Sequence, residues 1–407
     1  MKISACRICD SENVKKIVDL GYHPLADTFL PPHILFSHGE VSYPLQLGLC
    51  RDCGHVFTLF AVPPEDRYQI KDYSYDSSNS NVSVQHFRDF AEAVLAEKMS
   101  DPNGLVVDIG SNVGTLLAHF QSFGYQNVIG VEPSGNISEL AIKAGVPTIN
   151  DFFCDRVIKT LRGAGPVEVL LSANVLNHAD DLGALLDTAK EVLAHNGILV
   201  FEVPYLLDLV QTTAFDTIYH EHVHYHAVQP LAAALARKGF SVFKIDRIDY
   251  MCGSIRVFTR VGGGHCEAVE KMIEAERDFG LFDPATWEAF MTRVRTVKTT
   301  VLSDLYEIRA KGGKIIAIGA ATKGNTFINY CKLDSDMIEY VTDTSPLKIG
   351  KLTPGSHIPI IADEDIDASA THALILPWNI APMLVSKLDH LGLEFYIPQV
   401  QILQKTN

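Results

Sequence analysis

The sequence predicts an α/β protein with three parts: a small metal-binding module and two doubly wound units with parallel sheets. Residues 1–75 contain two Cys-x-x-Cys pairs among prolines, glycines and short apolar runs. Residues 76–265 alternate apolar strand patterns with helix patterns, and residues 266–407 repeat that alternation after a long helical connector. Such alternation is typical of parallel sheets covered by helices. A chain of 407 residues is also too long for a single core.

The composition, 47% hydrophobic and 20% charged, is typical of a globular protein. The net charge of −15 argues against binding to nucleic acid, because proteins that bind phosphate backbones carry basic patches. The sequence has no apolar run of about eighteen residues, and its first residues lack a signal-peptide core. We therefore expect a cytoplasmic protein without a membrane partner. The sequence leaves the oligomeric state open.

Four of the eight cysteines form two Cys-x-x-Cys pairs, Cys6 with Cys9 and Cys50 with Cys53. In an intracellular chain this arrangement favours a metal ion over disulfides. Each pair lets two thiolates reach one ion from a tight turn, and two such turns complete a tetrahedral zinc site. Because four protein ligands leave no open position, we predict a structural zinc ion. A redox pair or reduced bystander thiols are the alternatives.

A glycine-containing loop follows the first strand pattern of the middle unit. The apolar residues 104–109 run into Asp108-x-Gly110-x-x-x-Gly114, and a helix pattern begins directly afterwards. This spacing is not the dinucleotide fingerprint, but small residues let backbone amides approach a ligand closely at a helix N-terminus. Glu132 ends the next strand pattern and can accept hydrogen bonds from both ribose hydroxyls. A structural glycine turn is the alternative interpretation.

This pattern resembles that of a class I S-adenosylmethionine (SAM) methyltransferase. A carboxylate and two aromatic rings at positions 151–153 would suit the amino group and ring of adenine. Asn174 follows the fourth strand pattern, where methyl donor and substrate would meet. The predicted cofactor-binding residues are Asp108, Gly110, Ser111, Asn112, Gly114, Glu132, Pro133, Asp151, Phe152, Phe153 and Asn174.

Two further segments are rich in groups that transfer protons. Residues 219–226 (YHEHVHYH) hold four of the sixteen histidines together with one glutamate and two tyrosines. Residues 174–178 (NVLNH) follow the apolar run at 167–171. Imidazole titrates near neutrality and therefore suits general acid–base catalysis. A cofactor loop combined with these two segments indicates an enzyme.

Taken together, the chain resembles the sugar C-methyltransferases of deoxysugar biosynthesis. The resemblance spans essentially the whole length and depends on the order of its motifs. Besides the cysteine pairs, the Asp108 loop and Glu132-Pro133-Ser134, these motifs are YSYDSS at 73–78, DFF at 151–153, ANVLNH at 173–178, YHEH at 219–222 and TPGSHIP at 353–359. The resemblance implies a zinc-binding N-terminal module, a Rossmann-like SAM domain and a C-terminal Rossmann-like domain that closes over a nucleotide-linked sugar.

By the same resemblance, the substrate is a nucleotide-linked 4-keto-6-deoxy sugar that receives a methyl group on C3. The keto group acidifies the C3 proton, a base removes it, and hydrogen-bond donors stabilise the resulting enolate oxygen. His222 is predicted to be the base, with Glu221 orienting and polarising its ring. Three more residues, predicted to position the sugar or stabilise the oxygen at C4, are Tyr73, Tyr219 and His178.

Further substrate contacts are expected from both α/β units. Tyr75 and Asn177 belong to the middle unit, although packing is an alternative role for Tyr75. In the C-terminal unit, a turn at the start of a helix offers amides, a hydroxyl and an ammonium to a nucleotide diphosphate. The predicted residues there are Thr322, Lys323, Asn325 and Lys348. The alternative is that this unit serves only as a scaffold.

Several alternatives remain at the level of sequence. Glu221 and His222 could form a second metal site with His178 and His224, whereas packing roles are expected for three histidines, His220, His224 and His226. One segment departs from the family pattern, because MCGSIR at 251–256 replaces a motif with His-Gly-Gly before a small residue and Arg. Rival functions are O- or N-methylation, a non-catalytic sugar-nucleotide or zinc scaffold, and a nicotinamide oxidoreductase.

Overall fold

The computed structural model describes residues 1–35, 39–69, 73–98 and 102–398, which form three β-sheets with helices packed around them. One hydrophobic cluster contains side chains from all three parts of the chain, so their cores are continuous. Among these described residues, none of the helices combines the length and apolarity needed to cross a bilayer.

The N-terminal sheet is antiparallel and takes three of its strands from the first part of the chain. These are β1 (Val14–His23), β2 (Tyr43–Cys50) and β3 (Val56–Thr58), accompanied by the short helices α1 (Pro32–Leu35) and α2 (Pro64–Tyr68). The fourth strand, β9 (His224–Tyr225), pairs with β3 although it comes from the middle of the chain. The sheet is therefore completed by residues outside the predicted module of residues 1–75.

The middle sheet is the largest. Its strands are β4 (Leu105–Ile109), β5 (Val128–Val131), β6 (Thr148–Ile149), β7 (Val167–Ala173), β8 (Leu193–Pro204), β10 (Phe240–Ile248) and β11 (Ser254–Val261). They lie in the order β10-β11-β8-β7-β4-β5-β6. Strands β4 to β8 are parallel, and β11 runs antiparallel to both of its neighbours, β8 and β10. All five residues of β4 are buried, as expected for a strand covered on both faces.

Helices of the middle unit cover both faces of this sheet. They are α3 (Asn81–Glu97), α4 (Thr115–Ser122), α5 (Gly135–Lys143), α6 (Asp155–Ala164), α7 (Leu182–Val192), α8 (Leu206–Thr212) and α9 (Val228–Arg237). Ser80 caps α3, because its hydroxyl accepts a hydrogen bond from the Ser83 amide at 3.1 Å. Helix α4 begins at the residue that the glycine loop predicts.

The connector between the two α/β units consists of two helices, α10 (Glu267–Asp278) and α11 (Pro284–Ala310). The predicted helical connector is interrupted between α10 and α11, where Gly280 adopts a φ of +72°. Pro284 then starts α11, and the Asp283 side chain caps it by accepting from the Ala285 amide at 2.9 Å. Trp287, on the buried face of α11, donates its indole N–H to the Leu281 carbonyl at 2.9 Å.

The third sheet is parallel and confirms a second α/β unit. Its elements are β12 (Ile315–Ile318), α12 (Thr322–Cys331), β13 (Val341–Asp343), β14 (Ile360–Ala362), β15 (His372–Ile375), α13 (Ala381–Leu388) and β16 (Glu394–Tyr396). The strand order is β14-β13-β12-β15-β16. Just before β13, the Ile338 amide closes a turn onto the Asp334 carbonyl at 2.9 Å, so the strand begins only at Val341.

Candidate functional site

The four predicted zinc ligands form one compact cluster. All four sulfur atoms lie within 4.8 Å of one another. The Cys6 and Cys53 sulfurs are 3.6 Å apart, as are those of Cys9 and Cys50. Zinc–sulfur bonds of about 2.3 Å in a tetrahedron place the sulfurs roughly 3.8 Å apart. The cluster therefore fits a zinc ion with four thiolate ligands and no open position.

The backbone around the cysteines is shaped for metal binding. The Ile8 amide donates to the Cys6 sulfur at 3.5 Å, and the Gly54 amide donates to the Cys50 carbonyl at 3.0 Å. Gly54 has a φ of +83°, and a Cβ there would lie 2.8 Å from the Phe282 ring. A side chain at this position would therefore strain the turn and clash with the connector.

The second cysteine knuckle is joined directly to the segment that carries the predicted base. Strand β3 begins three residues after Cys53, and its partner β9 begins two residues after His222. The Thr58 amide also donates to the Val223 carbonyl at 3.1 Å. The metal module and residues 219–226, called the acid–base segment below, thus share one sheet.

Two arginines connect the same module to the loops that carry His178 and Glu221. Arg7, between the first two cysteines, donates to the Asp180 carbonyl at 3.0 Å and to its carboxylate at 3.3 Å. Arg67 pairs with the same carboxylate and donates to the His178 carbonyl at 3.3 Å and the Glu221 carbonyl at 3.4 Å. The sequence did not predict these hydrogen bonds and ion pairs of the two arginines, because they join residues more than one hundred positions apart.

The glycine loop after β4 has the strained backbone that a close approach to a ligand requires. Gly110 has a φ of +64°, and a Cβ there would lie 2.4 Å from a Val175 methyl group. Gly114 caps α4 with a φ of +84°, and a Cβ there would lie 2.8 Å from Val146. Neither position has room for a side chain, which explains the spacing of the two glycines.

Glu132 lies at the end of β5 beside this loop. Its carboxylate accepts from the Asn112 amide at 3.0 Å and from the Ser134 amide at 2.8 Å. Burial raises the pKa of Glu132 above its usual value. The Asn112 side chain donates to the Tyr75 carbonyl at 3.0 Å and accepts from the Ser77 amide at 2.9 Å, so the YSYDSS segment packs over the loop.

Several buried oxygen atoms at the carboxyl ends of β4, β5 and β7 have no hydrogen-bond partner. They are Asp108 Oδ1, Ser111 Oγ, Ser134 Oγ and Asn174 Oδ1. Burial and the neighbouring Glu132 raise the pKa of Asp108 to about 8. Buried acceptors without donors are costly, so this region fits a ligand that supplies hydroxyl and ammonium groups. SAM carries both, and the residues present therefore fit it.

The predicted adenine contacts are less clearly arranged. The Asp151 carboxylate accepts from Arg156 Nε at 2.8 Å, and this cation lowers the pKa of Asp151. The Phe152 amide also donates to Asp151 at 2.8 Å, and Phe153 packs partly against the core. Pro133 follows Glu132 directly. Adenine binding by this segment stays a prediction.

His222 is buried among aromatic rings. Its Nδ1 donates to the Thr217 carbonyl at 3.0 Å, which leaves the lone pair on Nε2. Ring centroids of Tyr219 and His178 lie 3.9 Å and 4.8 Å from that of His222. Burial lowers the pKa of His222 to about 3, so the ring is neutral before substrate arrives.

The group that orients this ring differs from the one that the sequence suggested. The Thr217 carbonyl holds Nδ1, whereas the Glu221 carboxylate faces Asp27 and accepts from its amide at 3.2 Å. Adjacent residues in a turn point in different directions, so a carboxylate next to a histidine in sequence need not contact its ring. Burial and the charge of Asp27 raise the pKa of Glu221 to about 7.

His178 and Tyr73 meet through a residue that sequence reasoning missed. The Tyr68 hydroxyl lies 2.5 Å from His178 Nδ1, and the rings of Tyr68 and Tyr73 are 5.6 Å apart. Asn136 fixes the Tyr73 backbone by bonding its amide at 3.2 Å and its carbonyl at 2.9 Å. Tyr68 lies just before the YSYDSS motif, and a tyrosine beside that motif was the available signal.

The two other predicted contacts of the middle unit occupy different environments. The Asn177 carbonyl accepts from the Val223 amide at 2.7 Å and the His224 amide at 3.0 Å, while both polar atoms of its buried side chain lack a partner. The Tyr75 hydroxyl interacts with Tyr250, away from Asn177, and burial raises its pKa. Asn177 is thus available to a ligand, whereas the Tyr75 hydroxyl is engaged.

The predicted residues of the C-terminal unit divide into two groups. Thr322 Oγ1 donates to Asp27 at 2.8 Å, and Asn325 donates to the Ala26 carbonyl at 2.7 Å. Lys323 packs over the Trp378 ring at 4.3 Å and donates to Asn379 at 2.5 Å. Lys348 is buried and donates to the Ala320 carbonyl at 2.8 Å. Thr322 and Asn325 therefore border the acid–base segment. The two lysines also reach other parts of the chain, because Lys323 lies 3.9 Å from the Asp216 carboxylate and Lys348 lies 5.2 Å from the centre of the Phe29 ring.

The remaining histidines form a buried network rather than a metal site. His55 Nε2 and His224 Nδ1 are 2.8 Å apart, and His224 Nε2 reaches the Ala179 carbonyl at 2.8 Å. His220 bonds the Pro44 carbonyl at 3.3 Å, and both ring nitrogens of the buried His226 lack a partner. Across the parts of the chain that the structure describes, only the four cysteines bring metal-ligand atoms close enough together. The alternative of a second metal centre is not supported.

Comparisons with known proteins agree with this geometry. Family models match a zinc-binding domain at residues 6–68, a methyltransferase domain at residues 83–245 and a C-methyltransferase C-terminal domain at residues 249–396. Over 388 residues the chain is 30% identical to C-methyltransferase NovU of Streptomyces niveus, a match that covers 94% of this chain and 91% of that protein.

Two solved structures with similar folds each cover less than half of the chain. Magnesium protoporphyrin IX methyltransferase (ChlM) from Synechocystis is 15% identical over 45% of this chain and 82% of its own, with a TM-score of 0.34. A SAM-dependent methyltransferase from Clostridium acetobutylicum is 12% identical over 45% of this chain and 94% of its own, with a TM-score of 0.37. At these TM-scores neither likeness supports a further conclusion.

The fold, the cofactor loop and the matched domains define a SAM-dependent methyltransferase with a structural zinc module. The chain belongs to the sugar C-methyltransferase family. This membership confirms the predicted class, SAM as cofactor and carbon as the methyl acceptor. The alternatives of a scaffold protein, a nicotinamide oxidoreductase and an O- or N-methyltransferase are not supported.

Replacing a zinc ligand tests whether metal binding by the N-terminal module supports the position of β9 in the shared sheet. We expect Cys53→Ser to lose the metal and to lower kcat by about 10- to 100-fold, because β3 no longer holds β9 in place. The SAM dissociation constant should stay within about threefold of the wild-type value, since β3 lies outside the cofactor loop. Elemental analysis, steady-state kinetics and calorimetry measure these three quantities.

Cys154→Ser is the matched control, because Cys154 is a half-buried thiol outside the cluster. Full activity in a metal-free Cys53→Ser protein would contradict the proposed coupling.

Glu132→Gln should weaken SAM binding by about 10- to 100-fold, because it replaces a charged acceptor at the end of β5 with a neutral amide. Glu139→Gln serves as the control, because Glu139 is exposed on the adjacent α5. Calorimetric titration with SAM, together with thermal unfolding, separates binding from folding. An unchanged affinity in folded Glu132→Gln protein would place the cofactor elsewhere.

SAM binding should release a proton from Asp108. Its raised pKa means that the carboxyl is protonated in the free enzyme at neutral pH, and a cationic ligand favours the ionised form. Affinity for SAM should therefore rise with pH up to about pH 8, and this part of the slope should vanish in Asp108→Asn. Calorimetry in buffers of different ionisation enthalpy counts the proton. The same slope in the variant would rule out Asp108 as its source.

Proposed function

We propose that this enzyme methylates C3 of a nucleotide-linked 4-keto-6-deoxy sugar, with His222 as the base. The main support is the neutral, buried imidazole of His222, whose Nδ1 is bonded to a carbonyl and whose Nε2 keeps its lone pair. The family membership supports a sugar as the acceptor. The three parts of the chain, residues 1–75, 76–265 and 266–407, would then serve as zinc module, methyl-donor domain and nucleotide-binding domain.

The base lies one loop away from the cofactor region. Asn174 directly follows β7 and has an unpartnered side-chain oxygen, and four residues later His178 contacts the ring of His222. Parallel strands bring their carboxyl ends to the same edge of the sheet, so the β4 loop lies next to Asn174. A sugar held between these groups would have its C3 close to both base and cofactor.

The residues of the chain account for each proton in the reaction. His222 Nε2 removes the C3 proton, and the hydrogen bond from Nδ1 to Thr217 favours the imidazolium that forms. Tyr219 and His178 pack against this ring, and Tyr73 is linked to His178 through Tyr68. Burial raises the pKa values of the Tyr73 and Tyr219 hydroxyls. They remain protonated and can donate to the enolate oxygen at C4. When bound, SAM supplies an electrophilic methyl group to C3.

The nucleotide would bind against the C-terminal unit. Helix α12 begins at Thr322, followed by Lys323 and Asn325, so its first backbone amides lie at this turn, where a helix N-terminus favours an anion. Asn325 keeps one buried oxygen without a partner. Lys348 places a positive charge next to this turn, because its ammonium donates to the Ala320 carbonyl. These contacts support diphosphate binding at the start of α12.

Loss of the base should separate proton removal from cofactor binding. We expect His222→Gln to lower kcat by about 100- to 10,000-fold, the usual contribution of a general base, while SAM affinity is unchanged. The variant should also fail to exchange the C3 proton of a 4-keto-6-deoxy sugar nucleotide in deuterated water. Mass spectrometry of product and recovered substrate measures both effects.

The same substitution at the exposed His33 is the control. Wild-type rates of C3 exchange in His222→Gln would reject this histidine as the base. No methylated product from wild-type enzyme and a panel of keto sugar nucleotides would reject the proposed substrate class.

A further inference from the structure

Asp27 is a buried carboxylate at the point where the three parts of the chain meet. It lies in the segment between β1 and α1 and is 6% exposed. Its Oδ1 accepts from the Ser74 hydroxyl and from the Thr322 hydroxyl, each at 2.8 Å. Its Oδ2 is buried without any hydrogen-bond partner. Oδ1 therefore connects the N-terminal part of the chain to the C-terminal unit, whereas Oδ2 is available to accept a hydrogen bond from a ligand.

Glu221 repeats this arrangement beside it. Its Oε1 accepts from the Asp27 amide at 3.2 Å, and its Oε2 is buried without a partner. Two neighbouring carboxylates thus each keep one unpartnered oxygen. Buried acceptors of this kind cost free energy unless a donor reaches them, and active sites are where such costs persist. The nearby Lys348 offsets part of the charge.

The two free oxygens belong to the same space as the proposed acid–base residues. Asp27 accepts a hydrogen bond from Ser74, which follows Tyr73 directly, and its amide donates to Glu221, which lies between Tyr219 and His222 in the same turn. Tyr219 packs on the ring of His222. A sugar that reaches this ring would therefore also reach the two carboxylates.

We propose that Asp27 contacts the substrate, its Oδ2 accepting a hydrogen bond from a hydroxyl or ammonium group on the sugar ring, with Glu221 Oε2 beside it for a second donor. This inference rests on the proposed function. Asp27 would make the enzyme select sugars that carry a donor group at that ring position. It would also place a residue of the zinc module in direct contact with the substrate.

The chain offers a substitution that changes only the free oxygen. In Asp27→Asn, the side-chain oxygen can still accept from Ser74 and Thr322, while an amide N–H replaces Oδ2. Thr322→Val is the matched control, because it removes the hydrogen bond from the Thr322 hydroxyl to Asp27 Oδ1 and leaves Oδ2 intact. Glu221→Gln makes the corresponding change on the neighbouring carboxylate and provides a second test should Asp27→Asn fold poorly.

The experiment compares sugars with and without a donor group. Wild-type enzyme and each variant are assayed with SAM and the nucleotide-linked 4-keto-6-deoxyglucose that the wild type accepts best. The same assay then uses its 2-deoxy, 3-deoxy and 3-amino-3-deoxy analogues. Thermal unfolding and calorimetric SAM binding are measured alongside.

We expect Asp27→Asn to lower kcat/KM by about 10- to 100-fold for the sugar that carries the contacted donor, and by less than about threefold for the analogue that lacks it. SAM affinity should be unchanged, and Thr322→Val should not reproduce the selective loss. A larger loss with the amino analogue than with the hydroxyl sugar would identify an ammonium group as the preferred donor.

Equal losses for all sugars, no loss, or the same pattern in Thr322→Val would overturn the inference and leave Asp27 as a purely structural contact. Those results would leave the proposed function standing, since the wild type would still methylate the sugar. If the wild type accepts no keto sugar nucleotide, the proposed function fails and the inference about Asp27 fails with it.

Discussion

The pairing of β3 with β9 is the interaction on which the arrangement of this enzyme depends. It places Val56 opposite Tyr225 and Phe57 opposite His224, and so joins the cysteine knuckles to the residues that follow His222. The register of such a pairing determines which face of the sheet each side chain occupies, and a slip of one residue would move every side chain of the strand to the other face. The predicted zinc ligands and the proposed catalytic imidazole are thereby held by a single ladder.

Around this ladder the protein keeps an unusual number of polar groups out of water. Five imidazoles lie in this region, the half-buried His178 and the buried His55, His222, His224 and His226. Burial lowers the pKa of each ring. Their neutrality avoids the large penalty for buried charge and leaves lone pairs available for chemistry. Arg7 and Arg67 lie nearby, and the Asp180 carboxylate pairs with both. The site thus combines neutral imidazoles with ion pairs between Asp180 and the two arginines at its border.

Local patterns in the sequence were enough to predict the four-cysteine cluster, the β4 glycine loop and the α/β class, because each depends on residues close together in the chain. The structure gives these the expected geometry, with Gly114 capping α4 and four sulfurs in contact. Contacts between distant segments were not accessible in this way. The Thr217 carbonyl behind His222 is a backbone group, and the Glu221 partner is 194 residues away. Neither leaves a local pattern in the sequence.

The shared sheet also has a consequence for biosynthesis. Strand β9 lies more than one hundred and fifty positions after β3 in the chain, so during translation the cysteine knuckles leave the ribosome long before the edge of their sheet can be covered. An open β3 edge is a template for pairing with other nascent chains. Early capture of zinc would keep that edge short and ordered until the middle unit emerges. Metal supply during synthesis would then set the yield of folded enzyme.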